Sequence, residues 1–223
     1  MNLEPNWVME NLSCPRGVMR FHLVYSGPLS GSGNKPKPDE VARIRDAFHP
    51  QLKLLWETHT ALKRLRQTAI VLNKPEDYFG SADDSPFKKD QDLGYYPGEH
   101  ETDLCAAIIQ RDKGFIPLVR NSLSLNCDLD ILFLRQEDPG SLVLQGGDLD
   151  NRIKTLLDAL RMPVDSDDGH RFPPVQPHTY CLMESDTLVS GFNVSTDRLL
   201  FPQSDRPNEV HLVIEVLVRL RTY

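Results

Sequence analysis

An α/β fold in one domain is what the spacing of apolar residues predicts, and three stretches carry the prediction. From Glu209 to Leu220, Val210, Leu212, Ile214, Val216, Val218 and Leu220 alternate with Glu209, His211, Glu215 and Arg219, the two-residue period of a strand. Val213 and Leu217 keep the second face partly apolar, so this strand is expected inside a sheet rather than at its edge. Leu123 to Arg135 repeats the pattern, with Leu125, Cys127, Leu129, Ile131 and Phe133 set against Asn126, Asp128, Asp130 and Leu132. Between the two, Ile153, Leu156, Leu157 and Leu160 recur at i, i+3, i+4 and i+7, the stripe of a helix lying on a core.

In chain order, Arg20 to Tyr25 reads as a first strand closed by the turn Ser26-Gly27-Pro28. Ser30 to Pro38 is too rich in Gly, Ser and Pro for regular structure and reads as a basic loop. Asp39 starts a helix with Val41, Ile44 and Phe48 on one face; Pro50 is expected to open a second helix carrying Leu52, Leu55, Trp56, His59 and Leu62. Thr68 to Asn73 reads as a short strand, and 74–102, punctuated by Pro and Gly, as a long insertion. Asp103 to Gln110 is expected to be a short buried helix, with strand pairing of part of it as the alternative, Phe115 to Arg120 a strand, and the helix from near Asp150 to stop at Pro163. A second insertion is expected over 165–180, followed by a strand from Leu188 to Val194.

The 223 residues suit one domain with large insertions, and the 39% hydrophobic and 26% charged fractions are ordinary for a globular protein. No apolar run approaches the ~18 residues of a membrane span, and the first twenty residues lack a basic leader with an apolar core. Cys14, Cys105, Cys127 and Cys181 form no CxxC pair, which fits free thiols and a cytoplasmic location. The net charge of −7 argues at first against a phosphate-rich partner, yet Glu76 to Asp103 alone carries −7 and the remainder is balanced. Between Lys35 and Arg66 eight basic residues face four acids, a local +4. This reads either as a solvated helix face or as a phosphate-tracking surface led by Lys35, Lys37, Arg43 and Arg45.

The chemistry concentrates in Asp148-Leu149-Asp150-Asn151-Arg152-Ile153-Lys154. Two carboxylates open a helix and Lys154 follows Asp150 by one turn, while the apolar stripe anchors the opposite face. The plainer reading is an Asp cap with dipole-favoured acids and an exposed lysine. The sharper one is a Mg²⁺ site, because that ion takes one or two carboxylates and keeps waters that meet a phosphate. Spacing alone leaves both open, and Asp128-Leu129-Asp130 shows that a second Asp-x-Asp occurs on the polar side of a strand.

Asp148-Leu149-Asp150-Asn151, Lys154 and Asp158-Ala159-Leu160 together resemble the signature of the RusA family of Holliday-junction resolvases. The match is strong over this motif and weaker at the strand Arg20 to Tyr25, Gly27-Pro28 and the basic loop. The resemblance implies a homodimeric α/β endonuclease with a mixed sheet and packed helices. It would cut branched DNA in recombination and repair, using Mg²⁺, or alternatively Mn²⁺, held by three aspartates beside a lysine. Carried onto this chain, it assigns Asp148, Asp150 and Lys154. For the third acid, Asp167-Asp168 and Asp186 are both candidates; Asp186 is preferred because Thr187-Leu188-Val189 leads straight into an apolar strand. Ser185 replaces the first acid of the family's usual pair, with Glu184 beside it as a substitute. The competing classes are a non-catalytic nucleic-acid-binding or regulatory protein on the same scaffold, and a partner-binding domain whose acids merely cap a helix.

His170, His178, Cys181 and Glu184 fit no standard zinc spacing and read as loop residues. Ser30-Gly31-Ser32-Gly33-Asn34-Lys35 lacks the spacing of a phosphate-binding P-loop.

Overall fold

The computed structural model describes residues 19–30, 38–64, 104–105, 107–110, 113–136, 148–163, 178–200 and 209–220. Among the described residues the chain is mixed α/β, with two sheets and two principal helices. The larger sheet contains β1 (Met19–Pro28), β4 (Leu125–Arg135), β6 (Val189–Arg198) and β7 (Glu209–Leu220), in the order β1-β7-β4-β6. β7 is antiparallel to both neighbours, whereas β6 runs parallel to β4. The smaller sheet has the order β2-β3-β5, formed by β2 (Ile108–Gln110), β3 (Lys113–Val119) and β5 (His178–Met183). The helices are α1 (Pro38–Thr58) and α2 (Asp148–Leu160).

Register explains why the larger sheet has one dry face. Leu23, Ile214 and Ile131 lie opposite one another across three strands, as do Tyr25, Leu212 and Phe133, and all six are buried. Because side chains alternate along a strand, Arg20, His22, Asp130 and Glu215 are thrown onto the other face. There Arg20 Nε lies 3.1 Å from Glu215, and Arg219 pairs with Asp128. The second Asp-x-Asp is thus the polar side of a strand, as its alternation predicts.

α1 covers the dry face through Ile44, Phe48, Leu52 and Trp56, all buried and one helical turn apart. Phe48 meets Tyr25 with ring centroids 6.0 Å apart, and the Gln51 amide bonds both the N–H and the carbonyl of Val24 at 2.9 and 2.6 Å. On the opposite flank His49 Nδ1 accepts the Tyr180 N–H at 3.0 Å, joining α1 to β5. These anchors correct the expected break at Pro50. An interior proline costs about 3 kcal/mol, but this one is exposed and the helix is held to the sheets on both sides of it, so it runs unbroken to Thr58.

Two further expectations are corrected. Ile108–Gln110 takes the strand pairing that is the alternative to a helix, because its two β-branched residues pair antiparallel with β3. Pro117, without an N–H, stands just beyond that ladder. The insertion expected to reach residue 180 gives way at His178: Thr179, Tyr180, Cys181, Leu182 and Met183 are all buried, and a continuous apolar run suits a strand paired in parallel with β3. His178 and Cys181 are therefore strand residues, not loop residues. The remaining strands and α2 lie near where periodicity puts them, but β1 runs on through Ser26-Gly27-Pro28, expected as a turn, because these residues pair with His211, Val210 and Glu209 of β7, and β6 continues alongside β4 to Arg198. The expected strand at 68–73 and the insertion at 74–102 lie outside the described residues, as does most of the second insertion.

Cys105, Cys127 and Cys181 are free thiols. Burial pushes both Cys127 and Cys181 up to about 12. In the native protein at pH 8, iodoacetamide is expected to leave these two unmodified and to label them only after denaturation, as peptide mapping would show. A raised thiol pKa keeps its proton in the folded state, so its stability contribution is intact below the unfolded value of roughly 8.5. It is lost as pH rises from there through about 12. Phe133→Ala, which opens a cavity at a fully buried site, is expected to cost about 3–5 kcal/mol in urea unfolding.

Candidate metal and nucleic-acid site

α2 is oriented by a buried face and two buried arginines. Ile153, Leu156, Ala159 and Leu160 sit in the core, while Asp150 and Lys154 are exposed and one turn apart. Among the described residues no hydrogen bond or ion pair engages Asp150 or Lys154. The Asp148 side chain lies outside the described residues, although its backbone opens the helix. Acidic residues on a first turn stand at the partial positive end of the helix dipole, an electrostatically favourable placement.

Arg152, 4% exposed, reaches back from the first turns of α2 and donates to the Leu29 carbonyl. Leu29 sits in a junction between β1 and α1 that is tied from several sides. Tyr25 Oη and Arg43 Nη2 both donate to the Pro28 carbonyl, at 2.9 and 2.6 Å. Ser30 donates its N–H to Glu40 Oε1 at 2.7 Å and its hydroxyl to Glu40 Oε2. Gly27, at φ 155° near the end of β1, passes close to the Tyr25 hydroxyl, which an added Cβ would meet at 2.8 Å. Burial raises the Tyr25 phenol despite the opposing Arg43 charge. The junction flanks 31–37, the segment carrying Lys35 and Lys37, which lies outside the described residues. Arg152 therefore fastens the flank of the basic segment to the start of the acidic motif.

At the other end of the helix, Arg45 Nη2 donates to the Asp158 carbonyl at 2.7 Å, where a cation meets the negative end of the dipole. Arg45 is 7% exposed, so this residue of the expected phosphate-tracking surface stands between two helices. Arg43 keeps an exposed guanidinium, shared with Pro28 and, at 3.6 Å, with Glu40. Asp158 takes Arg161 Nε and Nη2 on one oxygen at 3.0 and 2.7 Å, so this motif residue pins the end of α2.

Asp186 is exposed on a short 3-10 turn, Asp186–Leu188. The Thr187 N–H donates to Ser185 Oγ at 3.3 Å, and Ser185 Oγ donates to Asp186 Oδ1 at 3.4 Å. Ser185 thus caps this turn. Glu184 is also engaged: its Oε2 accepts the Asn121 N–H at 3.1 Å, and its own N–H donates to Val119 at 3.0 Å. The segment leaves β5 at Met183, whose carbonyl accepts the Met162 N–H at 2.8 Å just beyond α2. Asp186, three residues on, is tethered within about 10 Å of that point. Asp150 lies some 15 Å of helix axis before Leu160.

No described contact joins Asp186 to Asp150 or Lys154. Among the described residues, no three His, Cys, Asp or Glu side chains are grouped so as to hold a metal. Asp167 and Asp168 lie outside those residues. In kind, the first-turn acids suit Mg²⁺, an oxygen-seeking ion content with one or two carboxylates and several waters. The joint made by Arg152 and Glu40 escaped the sequence reading, because Arg152 is an unspecified motif position and Glu40 is ten residues from Ser30.

Searches against protein-family models, curated proteins and solved structures find no match to this chain.

Arg152→Met leaves the Leu29 carbonyl without its charged donor and is expected to cost about 1.5–3 kcal/mol in urea unfolding. The same change at Arg43, whose guanidinium is half exposed, is expected to cost less than about 1 kcal/mol.

Proposed function

We propose that this protein is a Mg²⁺-dependent endonuclease of RusA-like fold that hydrolyses phosphodiester bonds in branched or structured DNA. The observation that carries the reading is the pairing of exposed Asp150 and Lys154 on the first turns of an anchored helix, fastened to the flank of the basic segment by Arg152. Asp148 and Asp150 would hold the ion, with Asp186 as the third acid. A bound Mg²⁺ supplies charge stabilisation at the oxygens of the scissile phosphate. Lys154, one turn from Asp150, offers an ammonium to a phosphate oxygen. Lys35, Lys37 and Arg43 supply cations along the backbone. Arg45, held between the helices, positions α2 instead.

One set of observations favours the non-catalytic alternative, a DNA-binding protein on the same scaffold. Ser185 acts as a cap where the family has an acid, Glu184 is held by a backbone N–H, and Asp186 is tethered at the far end of α2. Such a protein binds a four-way junction yet leaves it intact in both Mg²⁺ and Mn²⁺.

Asp150→Asn is expected to abolish Mg²⁺-dependent cutting of a synthetic four-way junction with an unchanged circular dichroism spectrum; unaltered cutting sinks the assignment. Lys154→Ala is expected to slow cutting by about 10²–10³-fold. Saturating Mg²⁺ is expected to raise the melting temperature of the wild-type chain and not of Asp150→Asn, since a ligand of the native state alone stabilises it. Removing Lys35 and Lys37 is expected to flatten the dependence of log binding constant on log salt by about two.

A further inference from the structure

The seam between α1 and β5 contains ring nitrogens that the fold leaves without partners. His49 Nε2, Trp56 Nε1 and His59 Nδ1 are all buried and make no hydrogen bond. His49 and Trp56, two helical turns apart, both pack on the Tyr180 ring, with centroids 5.7 and 6.2 Å from it. Across this seam His49 Nδ1 accepts the Tyr180 N–H at 3.0 Å, a backbone donor spent outside the ladder between β3 and β5. A nitrogen that accepts carries no hydrogen, so the proton of the neutral imidazole stands on Nε2. The bond is thus available to one protonation state of one tautomer.

We propose that His49 is an acid-sensitive latch between α1 and β5, closed by the neutral imidazole and opened by its protonation. A second proton can go only to Nδ1, where it sets one N–H against another and leaves the Tyr180 N–H, which is part-buried, without an acceptor. The ring then carries a charge, and its buried Nε2 has no acceptor to share it. Asp46, one turn earlier, feels the His49 charge, yet among the described residues forms no ion pair with it. Beside these, the titratable and charged groups on the packed elements are Arg45, Lys53 and His59 on α1, His178, Tyr180 and Cys181 on β5, Asp158 and Arg161 on α2, and Tyr25 on β1. Arg45 is committed to the Asp158 carbonyl, and Asp158 to Arg161.

The sign of the effect follows from which form the fold accepts. A seam that takes only the neutral ring keeps its full contribution above the unfolded imidazole value of about 6.5 and loses it as pH falls below. Burial lowers the His59 imidazole and so acts in the same direction. Burial raises the Asp46 carboxyl, which acts in the opposite direction and from the carboxylate range near ~3.9. Opening is local, because Gln51 and Phe48 hold α1 to β1 without any titrating group of the seam. The latch uses neither Asp150 nor Lys154, so its test stands apart from any test of cleavage.

Hydrogen exchange, corrected for the intrinsic pH dependence of the amides, reads the latch directly. Between about pH 7.5 and about pH 5, protection of the β5 amides is expected to fall at least about tenfold while that of β7 holds. His49→Asn, whose side-chain oxygen offers an acceptor at the same branch position at every pH, is expected to stay protected throughout. His49→Phe keeps a ring but no acceptor and is expected to be poorly protected at both pH values. His59→Phe is expected to leave the fall in place. In the wild-type chain, the imidazole nitrogen shifts of His49 are expected to change over the same pH interval as the loss of protection. The proposal is overturned by wild-type protection indifferent to pH, by an equal fall in β7 or in His49→Asn, by loss of the effect in His59→Phe, or by His49 titrating in a different interval.

Discussion

The pairing of β7 between β1 and β4 is the constraint on which the rest of the structure depends. Its ladder joins the first described strand to the last, Met19 to Val218 and Pro28 to Glu209, while its other edge aligns with β4 from Leu125 to Arg135. A slip of one residue would turn Ile214, Val216 and Val218 to solvent and bring Glu215 into the core. The same register decides where α1 can lie, because Tyr25 meets Phe48 and the Val24 backbone meets Gln51 only when β1 shows its inner face to the helix. Most of these pairs are distant in sequence, so loop-closure entropy has to be overcome before the sheet offers α1 a surface.

Buried polar side chains then act as the joints between layers. Arg45 ties α1 to the end of α2, Arg152 ties the start of α2 to the β1–α1 junction, and Glu40 closes that junction on Ser30. Each charged group meets a carbonyl, an N–H or a hydroxyl, which offsets its loss of hydration. Such bonds are directional in a way that apolar packing is not. The turn bearing Asp150 and Lys154 consequently has a defined place relative to the residues flanking the basic segment.

The two ends of α2 have different roles. Its beginning presents exposed carboxylate and ammonium groups and touches the β1–α1 junction. Its end is occupied by structure: Asp158 holds Arg161, Arg45 takes the Asp158 carbonyl, and Met162 binds the backbone of β5. The turn after β5 is likewise organised by its own hydrogen bonds, with Ser185 as cap and Glu184 holding Asn121. The chemistry available at the first turn of α2 is thus set by its own acids and by what the neighbouring segments bring to it.

Periodicity in the amino-acid sequence was enough to determine the α/β class, the long strands Leu125–Arg135 and Glu209–Leu220, the apolar face of α2, and the exposure of Asp150 and Lys154. Each follows from local alternation or a helical stripe, which a chain displays without reference to distant partners. Tertiary structure decided the rest. Pro50 remains inside a helix because β1 and β5 hold α1 on both sides of it; Ile108–Gln110 becomes a strand because β3 offers it an edge; His178–Tyr180 extend because β3 runs beside them. Arg45, read as surface charge, and Arg152, an unspecified motif position, are both buried, since their partners are main-chain carbonyls 113 and 123 residues away. A carbonyl is present at every residue and leaves no mark in the sequence, so a joint built on one becomes visible only when the fold brings the two segments together.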